Sequence, residues 1–250
     1  MTLVHALVIL VAAFAAGAIN SIAGGGTLLS FPALLWIGRD PIMANATNSL
    51  ALWPGSLSAM VGFRRELAGV RRWLLLLTVP SLLGGICGAV LLLRTSTKTF
   101  THLVPFLILG ATLLLAAQEL ITRRLAHVHK GRGWVIFAFI FQFFVGLYGG
   151  YFGAGMGILM LAALGLIGLT DLHEMNGLKN LLAICINGVA AAYFVMSGAV
   201  LWLDAGIMAA AAIAGGYAGA RAARRLGRKF VRGAVVVIGL TMTVALFVRG

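Results

Sequence analysis

Residues Gly17–Ser30 read GAINSIAGGGTLLS, and residues Gly146–Leu159 read GLYGGYFGAGMGIL. Each is an apolar, helix-like stretch interrupted by glycines, and the second answers the first. Downstream, Asn45 pairs with Asn176, and the run Gly84-Gly85-x-x-Gly88-Ala89 pairs with Gly215-Gly216-x-x-Gly219-Ala220. Arg94 and Lys98 pair with Arg225 and Lys229 at the same offset of 131 residues. Two related halves in one apolar chain, each with a broken helix, point to a solute carrier whose site lies between the repeats.

Composition excludes an ordinary soluble domain. Hydrophobic residues make up 61% of the chain and charged residues 10%, against about 25% charged in a typical globular protein. The apolar runs reach the roughly 20 residues that a helix needs to cross a bilayer. They predict spans near 3–22, 43–63, 73–93, 99–121, 133–152, 174–196, 203–220 and 230–248. Two shorter helical pieces, about 27–37 and 155–168, follow the glycine breaks. The chain is thus an all-α polytopic membrane protein with an N-terminal repeat over 1–125 and a C-terminal repeat over 126–250.

The net charge of +13 is no nucleic-acid footprint, because fourteen of the 19 Lys and Arg residues sit in three short connections. These hold Arg64, Arg65, Arg71 and Arg72, then Arg123, Arg124, Lys130 and Arg132, then Arg221, Arg224, Arg225, Arg228, Lys229 and Arg232. Basic short loops mark the cytoplasmic side, and such patches also suit anionic membrane lipids. Four straight spans per half would turn the third cluster outward. If the chain instead folds back at each glycine break, every half crosses an odd number of times and all three clusters fall inside. Two inverted repeats follow, each of about four transmembrane helices with a glycine-broken or re-entrant first pair, in the inner (plasma) membrane.

The first apolar segment lacks a basic leader and ends in the motif that repeats at residue 146, so it reads as part of the mature protein rather than as a signal. Cys87 and Cys185 occupy non-equivalent places in predicted spans and read as packing residues. His5, His102, His127, His129 and His173 lie at span ends or in loops, so neither a metal site nor a cofactor is expected. Asn45-Ala46-Thr47 matches a glycosylation sequon, but at the start of a span it reads as a chance match.

The breaks carry the most chemistry. Where a helix stops and restarts, its first backbone N–H groups and positive dipole end are exposed at membrane depth. Glycine permits the turn and the ligand's close approach, and the restart becomes an anion site without a charged side chain. Gly24, Gly25 and Gly26 in the first half and Gly153 and Gly155 in the second are the candidates. Gly84, Gly85, Gly88 and their partners lie within unbroken helix patterns and read as close-packing residues.

A polar constellation follows each short helix. Asn45, Thr47, Asn48 and Ser49, then Ser56 and Ser58, answer Asn176, Lys179, Asn180 and Asn187. Spacings of i, i+3 and i+4 put Asn45 with Asn48, and Asn176 with Lys179 and Asn180, on single helix faces. Lys179 lies inside the apolar profile, where an ionisable residue is costly unless it faces a cavity or partner. Snorkelling to the interface is the bland alternative.

These residues resemble the sulfite exporter TauE/SafE family: the break in GAINSIAGGGTLLSFPALL, the following ANATNSLALWPGSLSA, and GGYFGAGMG with NGLKNLLAICINGVAA. The resemblance covers nearly the whole chain. It implies a permease for small anions such as sulfite, sulfoacetate or related sulfonates. The implied site residues are Gly24, Gly25, Gly26, Asn45, Asn48, Ser49, Gly153, Gly155, Asn176, Lys179 and Asn180. The second break reads Gly-Ala-Gly, so Ala154 makes the half-sites unequal. Alternating access about a midplane site is the expected mechanism. A passive anion channel, a membrane-embedded enzyme and a partner subunit are the alternatives, and homo-oligomerisation stays open. The enzyme is disfavoured because nucleophiles, acid–base pairs and metal clusters are missing at useful spacing.

Overall fold

The computed structural model of the chain describes residues 2–22, 25–61, 71–125, 132–167, 169, 171–226 and 228–249. They form ten α-helices, and there is no strand among the described residues. In chain order these are α1 (Leu3–Ile22), α2 (Thr27–Trp36), α3 (Pro41–Val61), α4 (Arg71–Arg94) and α5 (Thr97–Leu125). Then come α6 (Arg132–Tyr151), α7 (Met156–Leu166), α8 (Leu172–Met196), α9 (Trp202–Leu226) and α10 (Arg228–Arg249). Moving α4 forward by 131 positions brings it onto α9, and α1, α2, α3 and α5 likewise fall on α6, α7, α8 and α10. Even the caps correspond. Asp40 accepts from the Ile42 and Met43 N–H groups at 3.0 Å, and Asp171 accepts from Glu174 at 3.3 Å, so each carboxylate opens the third helix of its half.

Among the described residues, five helical segments are long and apolar enough to cross a membrane: Leu3–Asn20, Arg72–Arg94, Thr97–Ile121, Glu174–Met196 and Phe230–Val248. Fewer qualify than the eight read from hydropathy. In α3 the reason is its polar run, where Asn45, Thr47 and Asn48 are all buried inside the protein. Large apolar side chains such as Leu75, Leu83, Phe106, Phe144, Phe230 and Val244 stand exposed on the outside. A surface of that kind belongs in hydrocarbon rather than water.

Both breaks fold the chain back. Gly26 lies against the Ala16 carbonyl and the Asn20 side chain, so α2 returns beside the end of α1. In the second half, a Cβ on Gly149 would meet the Met156 sulfur at 2.6 Å, the same reversal. The two halves are nevertheless not separate packing units. The first helix of each lies on the fourth helix of the other: α1 on α9, and α6 on α4. Glycine makes both crossings close. A Cβ on Gly84 or Gly88 would overlap the Phe143 or Leu147 carbonyl of α6, and one on Gly150 would overlap that of Gly85. Gly17 sits equally tight on the Ala212 carbonyl, and Gly215 on that of Phe14. Small residues admit such backbone contact in membranes, where packing replaces hydrophobic drive. A buried carboxylate adds a polar tie: Asp204, 1% exposed at the start of α9, receives Arg39 through two hydrogen bonds of 2.6 and 3.1 Å.

Candidate functional site at the paired helix breaks

α1 ends at Ile22 and α2 begins at Thr27, and α6 ends at Tyr151 and α7 begins at Met156. Gly25 has φ +90°, Gly153 +79° and Gly155 +76°, left-handed conformations that other residues adopt only at a cost. Gly24 lies outside the described residues. A Cβ on Gly25 would meet Leu115 of α5 at 3.3 Å, and one on Gly155 would meet Ala111 of α5 at 3.5 Å. Those two residues are one helical turn apart, so the breaks from opposite halves converge on neighbouring turns of α5. An aromatic cluster ties them together: Phe31 of α2 packs edge-on against Phe152 in the second break, with ring centroids 5.4 Å apart. Phe100 and Tyr151 complete the cluster.

The two restarts are furnished differently. At the first, the Gly26 N–H donates to Asn20 Oδ1 at 2.7 Å, so the chain partly caps its own positive end. Ser30, one turn in, has Asn48 Oδ1 at 2.5 Å as the near acceptor for its single hydroxyl proton, with the Gly26 carbonyl further off at 3.2 Å. Asn48 is thereby bound within its own half. At the second restart, a Cβ on Gly157 would lie 3.3 Å from Lys179 Cδ, so the lysine stem crosses the first turn of α7. Its ammonium donates to Asn176 Oδ1 at 3.0 Å. No group among the described residues accepts from the Gly157 N–H. The stem of Lys179 thus lies over the first turn of α7, where that helix carries the positive end of its dipole. The Tyr148 hydroxyl braces that break by donating to the Ala154 carbonyl at 2.6 Å.

Other sequence-derived candidates scatter. Asn45 Nδ2 donates across the halves to the carbonyl of Tyr151, the last residue of α6, at 2.9 Å. Its Oδ1 is buried without a partner among the described residues, a situation that costs about 1–3 kcal/mol. Ser49 donates to the Asn45 carbonyl of its own helix at 2.9 Å. Asn180 is half-buried on α8, and a Cβ on Gly153 would lie 4.0 Å from Asn187 Oδ1. The side chains of Ser56 and Ser58 lie outside the described residues.

Sequence reading passed over Asn20 and Ser30, although both stand within the motif it began from. Polarity beside a triple glycine was the available signal. It also passed over Trp53, whose indole N–H donates to the Ile184 carbonyl at 3.0 Å, between two positions 131 residues apart.

A family model described as Sulfite exporter TauE/SafE matches residues 9–246. A probable membrane transporter protein of Haemophilus influenzae is 33% identical over 235 residues, covering 92% of this chain and 89% of that one. The probable membrane transporter protein YfcA of Escherichia coli K12 is 30% identical over 238 residues, covering 94% and 86%. A third, the probable membrane transporter protein ORF9 of a Sinorhizobium species, is 30% identical over 239 residues, covering 94% and 90%. No solved structure matches the chain.

Proposed function

The chain belongs to the sulfite exporter TauE/SafE family and is a multi-pass membrane transporter, and from that premise we propose that its cargo is a small anion of the sulfur-containing class, such as sulfite, sulfoacetate or a related organosulfonate. One observation carries this reading. The Lys179 stem crosses the first turn of α7, so an ammonium and the positive end of a helix serve the same spot beside a backbone opened by Gly153 and Gly155. Oxyanions are the ligands such a spot holds best, through charge-assisted hydrogen bonds. The site sits between repeats of opposite orientation in the inner membrane, and their relative motion exposes it to either side in turn.

Binding to purified protein tests the cargo, with sulfite, thiosulfate, sulfoacetate, taurine and non-sulfur carboxylates as the panel. Sulfur oxyanions are expected to bind, and a protein that held only zwitterions or cations would refute the reading. Lys179→Ala is expected to weaken anion binding by about 10- to 100-fold, the loss of one charge-assisted contact in a dry site. Lys179→Glu, which sets a like charge beside the ligand, is expected to weaken it further. Equal affinity in all three proteins would remove Lys179 from the site.

The orientation of the halves has its own test. Cysteines replacing Arg65, Arg124 and Arg225, in a background without Cys87 and Cys185, are expected to react from one membrane face only with an impermeant thiol reagent. Opposite accessibility at position 225 would mean that the halves are not inverted.

A further inference from the structure

We propose that Asn45 Oδ1 is a ligand of a monovalent-cation site, of sodium's size, at the C-terminal end of α6. Three observations meet there. Asn45 is fully buried, and its Nδ2 donates to the Tyr151 carbonyl at 2.9 Å. Only the nitrogen of an amide can donate to a carbonyl, so this bond fixes the amide's orientation and leaves Oδ1 pointing away. Oδ1 has no partner among the described residues. A buried acceptor at membrane depth calls for a donor or a cation.

The second observation is the place. Tyr151 ends α6, and the last carbonyls of a helix carry the negative end of its dipole. The amide nitrogen meets that end directly, and the amide oxygen, on the far side of the same group, is a hard, uncharged oxygen ligand within reach of the dipole's field. Among the described residues there is no cluster of three or more acidic, His or Cys side chains that could hold a metal ion, and a neutral amide oxygen suits a single positive charge better than a divalent ion.

The third observation comes from the other half. Asn176 stands 131 positions after Asn45, and its Oδ1 receives the Lys179 ammonium at 3.0 Å. In the first half the position of that lysine is taken by Asn48, whose own Oδ1 accepts from Ser30. One asparagine of the pair thus has a built-in cation, and the other has none among the described residues. A soluble cation at Asn45 fills the role that the lysine fills at Asn176. In transport, it would offset the cargo's charge and couple its movement to a cation gradient. That use rests on the anion-transport reading, whereas the binding site does not.

The test is the melting temperature of the purified, detergent-solubilised protein as choline chloride is replaced by sodium chloride at constant total salt. The wild type is expected to gain about 5 °C along a saturating curve, with potassium less effective. Asn45→Ala is expected to show no sodium-dependent gain. Asn45→Asp keeps the outline, adds a charge and puts an oxygen where the nitrogen donated to the Tyr151 carbonyl, so a cation relieves two facing oxygens as well, and the sodium midpoint is expected to move at least about 10-fold lower. A flat wild-type curve overturns the proposal. So does a gain retained in Asn45→Ala, or an unmoved midpoint in Asn45→Asp should the alanine variant fail to fold. Lys179→Ala separates the two readings, because it is expected to weaken anion binding while leaving the sodium midpoint in place.

Discussion

Gly25→Val and Gly155→Val are expected to abolish transport while the protein still inserts and stays folded. Both positions are left-handed, with φ of +90° and +76°. That conformation costs an ordinary residue about 1–2 kcal/mol and a β-branched one more. The space is not the obstacle at first: the nearest atoms to an added Cβ are a flexible Leu115 methyl at 3.3 Å and the Ala111 backbone at 3.5 Å. What valine cannot keep is the turn itself. The backbone would relax toward negative φ and swing the first N–H groups of α2 or α7 off their aim. Ligand affinity would then fall by about 100-fold or more, since each misdirected charge-assisted bond is worth about 1.5–3 kcal/mol. Uptake by proteoliposomes, alongside the melting temperature, is the measurement. Wild-type flux in both variants would show that the breaks only shape the helix path.

The second large effect falls on stability. Gly88→Ala and Gly215→Ala are expected to lower yield and melting temperature sharply, although each adds only a methyl group. The new Cβ would overlap the Leu147 carbonyl in the first case and the Phe14 carbonyl in the second, and backbone cannot step aside as a side chain can. Overpacking of this kind costs about 1–3 kcal/mol and occasionally more, because α4 must move off α6, or α9 off α1. Gly216→Ala is the control, since its Cβ would come no nearer than 3.8 Å to the Gly17 carbonyl. Equal stability of Gly88→Ala, Gly215→Ala and Gly216→Ala would mean that these crossings have room for a methyl group.

Much of this fold was legible because hydropathy and the glycine breaks report the bilayer directly. The ends of helices were less so. Spans read as 99–121 and 203–220 belong to helices that run over Thr97–Leu125 and Trp202–Leu226. Apolarity ends where the hydrocarbon ends, whereas Ala, Arg and Leu keep the backbone helical beyond it. The contacts among the candidate residues were legible in part. Spacing placed Lys179 and Asn176 together on one face of α8, and the structure joins them. It also grouped Asn45 with Asn48, yet Asn45 reaches α6 while Asn48 is bound by Ser30 of α2. Which neighbour a polar group meets depends on helices far away in sequence, and one periodic face cannot say. The Arg39–Asp204 pair, 165 residues apart, was beyond reach on the same ground.

The exchange of first and fourth helices between the halves also bears on how the chain is made. While the ribosome works, α1 leaves the translocon with its glycine face prepared for a helix that does not yet exist. Residue 202, where α9 begins, follows the end of α1 by 180 positions, which at about 5–20 residues per second is a wait of roughly 10–40 s. During that interval the Gly17 surface must rest against lipid or an insertase. The second-half helix α6 faces no such delay, because α4 is already in place when it emerges. Assembly is therefore sequential, with the α4–α6 seam closing first and the α1–α9 seam last. A chain that stops before α9 leaves the glycine face of α1 without the helix it packs on.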